Sequence, residues 1–380
     1  YEIAQCLVGS EMCIRDSVKM SEKQRVLVYG MSDNPGGIET YLRNLAKELA
    51  PEIILDFVTD FPGVAYEEEL RGYGSRIYYI GAKSQGLLKQ WKQFRKLLRE
   101  HPEYQTVYGN ILNAGAVFTL IIPWIYRRKI VVHSHNGAAD NERLHKICRP
   151  FLNGIAKQFV ACSKLAGSFM FGQRIMEHKD VLIMPNAIEA ETYAYDPIVR
   201  EEVRQELGIK ENFVICHVGR IAHQKNPKGV IDIFSSCLEE EKDCVLLYVG
   251  TGELEQEIKN YAAQKRVADK VKFLGVRKDV RRLMQAADCF LLPSFYEGLP
   301  IVAVEAQAAG LPCFLSDQIS EETKLSDLVE FLKLGDTRLW RNAILESRGK
   351  ERKSRLQEII GAGYDLNHQE KKIEQLEKKF

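Results

Sequence analysis

The sequence has no surplus of either charge. It carries 53 Lys and Arg against 52 Asp and Glu, a formal net charge of +1. That balance lacks the electrostatic footprint of a bulk nucleic-acid binder. No apolar run approaches the roughly 20 residues needed to span a bilayer. The longest, residues 116–125, is broken by Pro123. The nine cysteines form no Cys-x-x-Cys pair and no Cys/His ligand spacing. That argues against a zinc site, and the odd number argues against a disulfide framework. Most lie in apolar runs, where free Cys acts as a small hydrophobe, as in a reducing cytosol. There is no Gly-x-Gly-x-x-Gly fingerprint and no P-loop, so nicotinamide and ATP readings lose ground.

Residues 1–19 read as a non-native leader. Positions 7–16 resemble translated adaptor sequence, and the stretch lacks the basic start and continuous apolar centre of a signal peptide. Met20 is the expected native start, with a natural extension as the alternative.

What is present is a strict alternation of short apolar runs and amphipathic stretches. The first half has runs at 26–29, 53–58, 77–80, 106–108, 130–133, 159–161 and 181–184. The second half has them at 213–218, 245–249, 271–274, 289–292, 313–315 and 329–332. Helix-period segments such as 38–49 and 87–100 lie between. Continuous apolar strands separated by helices imply a parallel sheet covered on both faces. The expected fold is therefore α/β: two Rossmann-like doubly wound domains facing across a cleft. The first of these domains is expected over 20–184 and the second over 185–362. Residues 363–380 are expected to form a charged helix returning to the first domain.

In such sheets ligands bind beyond the carboxyl ends of the strands. The richest strand end is Pro293-Ser294-Phe295-Tyr296-Glu297-Gly298-Leu299-Pro300, followed by a helix carrying Glu305. Amides at Gly298, Leu299 and Ile301 opening a helix make a seat for an anionic diphosphate. Carboxylates on either side can accept hydrogen bonds from sugar hydroxyls, one from a transferred hexose and one from ribose. A second strand end reads Gly219-Arg220-Ile221-Ala222-His223-Gln224-Lys225. Its Arg and Lys place two cations in the cleft, suited to charge developing on a leaving diphosphate. A third, Met31 to Glu39, holds Gly36-Gly37 before a helix and permits close backbone approach to a ligand. A fourth, Val131-Val132-His133-Ser134-His135-Asn136, puts two histidines on one side of a strand end; no third metal ligand accompanies them.

The string Pro-Ser-x-x-Glu-Gly-Leu-Pro-x-x-x-x-Glu-Ala resembles the Glu-x7-Glu signature of the retaining GT-B glycosyltransferases of family GT4, which include capsule and exopolysaccharide enzymes. The resemblance covers essentially residues 25–380. It implies a nucleotide-sugar donor, a UDP-sugar by family habit, with no cofactor. It implies that Glu297 serves the donor sugar and Glu305 the nucleotide ribose. The Gly-Arg-x4-Lys match implies that Arg220 and Lys225 neutralise the diphosphate, with Gly219 at the turn. The loop of Gly36 and Gly37 would face that diphosphate across the cleft. A histidine near the reacting carbon is implied too; register favours His135, with His133 second. Gly250 and Gly252, and the backbone at Val276 and Arg277, would border the nucleotide. Ala187 replaces the usual glycine after Pro185-Asn186, which bears on hinge geometry. No Asp-x-Asp is present, the motif that holds a divalent metal in the other major glycosyltransferase architecture. No metal is expected. The alternative function is a UDP-sugar 2-epimerase on the same two-domain plan.

The implied acceptor is a glycan or a polyprenyl-linked sugar. Residues 83–149 hold 12 Lys or Arg against 4 Asp or Glu. Within them, residues 85–100 form a basic amphipathic helix that could rest on an anionic membrane or simply cover the sheet. The run 121–129 points toward the membrane as well. A cytoplasmic protein, at the inner face of the membrane, and no nucleic-acid partner are the corresponding expectations.

Overall fold

The structure, a computed structural model, describes residues 23–138 and 141–380. The leader expected over 1–19 and the start at Met20 lie outside the described residues. Among the described residues thirteen strands form two sheets, every strand pairing parallel. The first sheet holds β1 (Gln24–Tyr29), β2 (Ile53–Thr59), β3 (Ile77–Tyr79), β4 (Thr106–Ile111), β5 (Lys129–Ser134), β6 (Gln158–Ala161) and β7 (Val181–Ile183). The second holds β8 (Phe213–Val218), β9 (Cys244–Val249), β10 (Val271–Gly275), β11 (Cys289–Leu292), β12 (Cys313–Ser316) and β13 (Val329–Leu332).

The strand orders are β3-β2-β1-β4-β5-β6-β7 and β10-β9-β8-β11-β12-β13. In each sheet the order reverses once, between β1 and β4 and between β8 and β11. Such a switch point leaves a crevice where flanking helices diverge to opposite faces. Strands buried on both faces explain the continuous apolar runs. Leu27, Val107 and Val132 face one core of the first domain; Val26, Val28 and Val131 face the other. Val214, Cys216 and Ile215, Leu291 divide in the same way in the second.

A fifth apolar cluster joins the two halves. It packs Cys162 and Ala166 of the first against Leu299, Ile301 and Val304 of the second. The chain then crosses back. Ile188 pairs with Asp365, whose carboxylate accepts the Ala190 amide at 3.0 Å. Beyond it the helix Glu370–Glu377 buries Leu376, with Phe380 following, against Leu182 and Met184. The helix is shorter than the charged pattern of the tail suggests, because residues 364–366 are held extended by hydrogen bonds to Ile188.

Candidate functional site

Site residues gather at the second domain's switch point, where hydrogen bonds fasten the β8 loop to the β11 loop. The Phe295 amide donates to Gln224 O at 2.9 Å, and the Gln224 side chain donates to Tyr296 O at 3.1 Å. Asn226 donates to Pro293 O at 3.0 Å while its own oxygen caps the Gly229 amide of the next helix, Pro227–Glu240. Pro227 at the first helical position suits that start. The result is a direct ion pair between Lys225 Nζ and Glu297 Oε1. The two side chains are only 17% and 9% exposed. In so dry a setting each charge depends on the other, since removing one would strand its partner.

Glu305 sits differently. It lies within the helix Ile301–Ala308 and is buried, and it accepts a hydrogen bond from Tyr193, whose hydroxyl donates to Oε1 at 2.8 Å. Burial pushes its carboxyl up to about 7, against the opposing pull of the Tyr193 hydrogen bond. Arg220 is exposed, and its guanidinium meets Glu253 at 3.1 Å. It therefore lies off the Lys225–Glu297 pair in this structure.

The glycines allow the loops to close. Gly250 has φ +131°, and a Cβ there would fall 2.1 Å from Gly219 O. Gly298 lies against the first domain: a Cβ would meet His135 O at 2.7 Å. Gly252 approaches Ile221 O similarly. Leu299 is buried in the cluster between the domains. Gly36 is the cap of the helix Gly37–Leu49, whose start faces the start of Ile301–Ala308; a Cβ on Gly37 would lie 3.5 Å from Ile301 Cγ2. Two helix N-termini, each with a positive dipole end, thus face each other across the cleft. Val276 is exposed beyond β10, and Arg277 is engaged by Asp279 at 2.6 Å.

On the first-domain side the groups are neutral. His133, within β5, bonds to the Tyr108 hydroxyl at 2.5 Å, and Tyr108 bonds onward to Tyr41 at 2.9 Å. His135, one step beyond the strand, donates through Nε2 to Asn110 Oδ1 at 2.9 Å. Its Nδ1 then carries a lone pair that has no partner among the described residues. Burial pushes the His135 imidazole down to about 3 and holds His133 well below its ordinary value, so both are uncharged at neutral pH. The described residues contain no group of three His, Cys, Asp or Glu side chains that could hold a metal.

Sequence reasoning missed Tyr193, Asn110 and Glu253. Tyr193 is separated from Glu305 by 112 residues and carries no motif. Only the Asn110 strand end, one residue before the close of β4, offered a positional hint.

Two family models match the chain: Glycosyl transferases group 1 over residues 199–325 and Glycosyltransferase Family 4 over residues 35–192. The chain is 31% identical over 361 residues to the putative glycosyltransferase EpsF of Bacillus subtilis, covering 91% of this chain and 94% of that protein. It is 35% identical over 142 residues to the UDP-Gal:alpha-D-GlcNAc-diphosphoundecaprenol alpha-1,3-galactosyltransferase of Escherichia coli, covering 36% of each. Among solved structures, Anabaena Alr3699/HepE in complex with UDP and glucose superposes with a TM-score of 0.79 at 22% identity, over 94% of this chain and 100% of that one. WaaG, a glycosyltransferase involved in lipopolysaccharide biosynthesis, superposes with a TM-score of 0.68 at 18% identity, over 92% and 98%. These likenesses share the two-domain GT-B fold. The epimerase alternative finds no support among these relatives.

Proposed function

Since the chain belongs to the group 1 glycosyl transferases, we propose that it moves a hexose from a nucleotide-sugar, a UDP-sugar in the first instance, to a glycan or lipid-linked acceptor in cell-surface polysaccharide assembly, with retention at the anomeric carbon. The observation that carries this reading is the Lys225–Glu297 pair beside the opening of the helix Ile301–Ala308, directly opposite the opening of Gly37–Leu49. A diphosphate between those openings meets amide dipoles from both sides and the Lys225 ammonium. Glu297 is held by Lys225 through Oε1 and accepts a long 3.5 Å hydrogen bond from Gln224 on Oε2, the oxygen that would also accept from hexose hydroxyls. Glu305 accepts from the ribose. Arg220 swings from Glu253 to the diphosphate, a small cost for an exposed pair. His135, neutral, takes a sugar hydroxyl on Nδ1. Gly250, Gly252, Val276 and the backbone at Arg277 border the base.

Breaking the glycosyl–phosphate bond leaves negative charge on the departing diphosphate. Fixed cations and amides in a dry cleft stabilise that charge without reorganising. The relatives' names support the donor and the process: HepE is described in complex with UDP-glucose, and the E. coli enzyme with a UDP-sugar and a diphosphoundecaprenol acceptor.

A thermal-shift panel of UDP-, GDP- and ADP-sugars tests the donor, because a ligand bound only by the native state raises its melting temperature. The expected result is stabilisation by a UDP-sugar. Equal, null responses to all three, or full transfer activity in Arg220→Ala, would reject the assignment.

A further inference from the structure

Three helices lie side by side on one face of the first sheet: Leu87–Glu100, Val117–Ile125 and Glu142–Ile155. The first turns Phe94, Leu97 and Leu98 inward, and Trp91 donates its indole N–H to Phe118 O at 2.6 Å. Most of its apolar face therefore covers the sheet, leaving Leu88 outward. The third helix has two apolar stripes. Cys148, Leu152 and Ile155 pack inward. Leu144, Ile147 and Phe151 point outward, the last two 65% and 67% exposed. Trp124 and Ile125 close the second helix and are about half exposed. Each helix follows a strand, so each begins near the cleft and runs away from it. A 14-residue helix is about 21 Å long, so the outward apolar strip reaches from the cleft mouth down the whole flank.

At its far end the strip runs into a groove of about 870 Å³. Trp124, Ile125 and Ile155 supply apolar walls, and Arg127, Lys129 and Lys157 supply cations. Among the described residues none of these three cations pairs with a carboxylate. Burial, with Lys379 and Lys157 nearby, holds the Lys129 ammonium below its ordinary value, as expected of positive charge crowded without a counter-ion. Arg143 flanks the outward stripe, as does Lys146, which pairs with Glu142 at 2.8 Å on the exposed surface.

We propose that this three-helix face, centred on Ile147 and Phe151, docks the protein on an anionic phospholipid surface, with lipid phosphate at the Arg127–Lys129–Lys157 groove. Apolar side chains enter the headgroup–acyl boundary, and cations meet lipid charge. This relocates the contact expected at residues 85–100, whose apolar face is spent on the sheet. A contiguous apolar patch rimmed by cations distinguishes this occupant from a neutral protein partner. The surface stands apart from the donor site, so loss of either function leaves the other measurable.

The test is co-sedimentation of the full chain with phosphatidylcholine vesicles, with and without phosphatidylglycerol. Binding should require phosphatidylglycerol and weaken as salt is raised. Ile147→Ser with Phe151→Ser should lower the partition coefficient at least about tenfold. Lys157→Gln should lower it about fivefold. Both sites are surface positions, so melting temperature and transfer to a soluble acceptor stay at wild-type level. Equal binding to both vesicle types, or wild-type binding by the double variant, overturns the proposal. So does a lipid-free dimer in sedimentation velocity that the double variant converts to monomer, which would make the face a protein interface.

Discussion

The two strand-order switch points share a topology and differ in chemistry. At β8/β11 the facing groups are ionic: Lys225 against Glu297, with Arg220 nearby on Glu253. At the ends of β4 and β5, beside the β1/β4 switch point, they are neutral: His133, His135, Asn110 and Tyr108 in a buried hydrogen-bonded set. One fold thus presents charge on one wall and uncharged polar groups on the other. That division suits a ligand with an anionic end and a hydroxyl-rich end. Under the proposed function, the anionic part would lie with the cations and helix openings, and the sugar would face the neutral wall.

The sharpest way to break this contrast is to remove its charge. Lys225→Ala should cut kcat/KM by about 10³, since it deletes a cation at the leaving group and leaves Glu297 unpaired. If steady-state kinetics instead show less than about tenfold loss, the ionic wall is not the donor's. Adding Glu297→Gln to that variant should cost far less than Glu297→Gln costs alone, because the two side chains act as a unit.

A second contrast lies inside the ionic wall. Among the described residues Glu297 meets a cation and Glu305 a tyrosine hydroxyl, so burial raises the Glu305 carboxyl to about 7, against 4.5 for a free Glu. Between those two pH values the folded protein keeps a proton that the unfolded chain releases. Stability from this group is therefore present at low pH and falls as pH rises through about 7. Glu305→Gln keeps an acceptor for Tyr193 but cannot ionise. It should raise stability at pH 8 by about 1–3 kcal/mol while weakening donor binding about 10- to 100-fold. Melting curves at pH 4.5 and pH 8, with donor titrations, read both. A variant less stable than wild type at pH 8 contradicts the burial argument. Donor affinity of the wild type should likewise weaken as pH falls below about 7.

The smallest effect concerns the seam between the walls. Gly298→Ala places a methyl 2.7 Å from His135 O and must push the loops apart. We expect a stability loss of about 1–2 kcal/mol and a larger KM for the donor with little change in Tm dependence on pH. Denaturant titration and initial rates distinguish this from a silent substitution.

Much of the architecture was readable because buried parallel strands announce themselves as unbroken apolar runs, such as 213–218 and 289–292, each ending in Gly or Pro. The Pro293–Glu305 string was readable because it is local. Pairings across the fold were not. Lys225 and Glu297 are 72 positions apart, and nothing in either segment says that their charges meet. Arg220 looked like a partner of Lys225 in the chain, but its side chain leaves toward the next loop. The helix Glu142–Ile155 shows a further limit. Its sequence carries two apolar stripes at helical spacing, and only packing decides which one faces water. The tail was overextended for a related reason: its charges favour helix, but pairing with Ile188 takes the residues around Asp365.

The central claim, that the ionic switch point seats the diphosphate, is tested most directly by a crystal structure of the protein with its UDP-sugar. The account predicts phosphate oxygens within hydrogen-bond reach of Lys225 Nζ and the amides opening the helix Ile301–Ala308, with the hexose toward His135. A donor whose diphosphate lies away from Lys225 would contradict it.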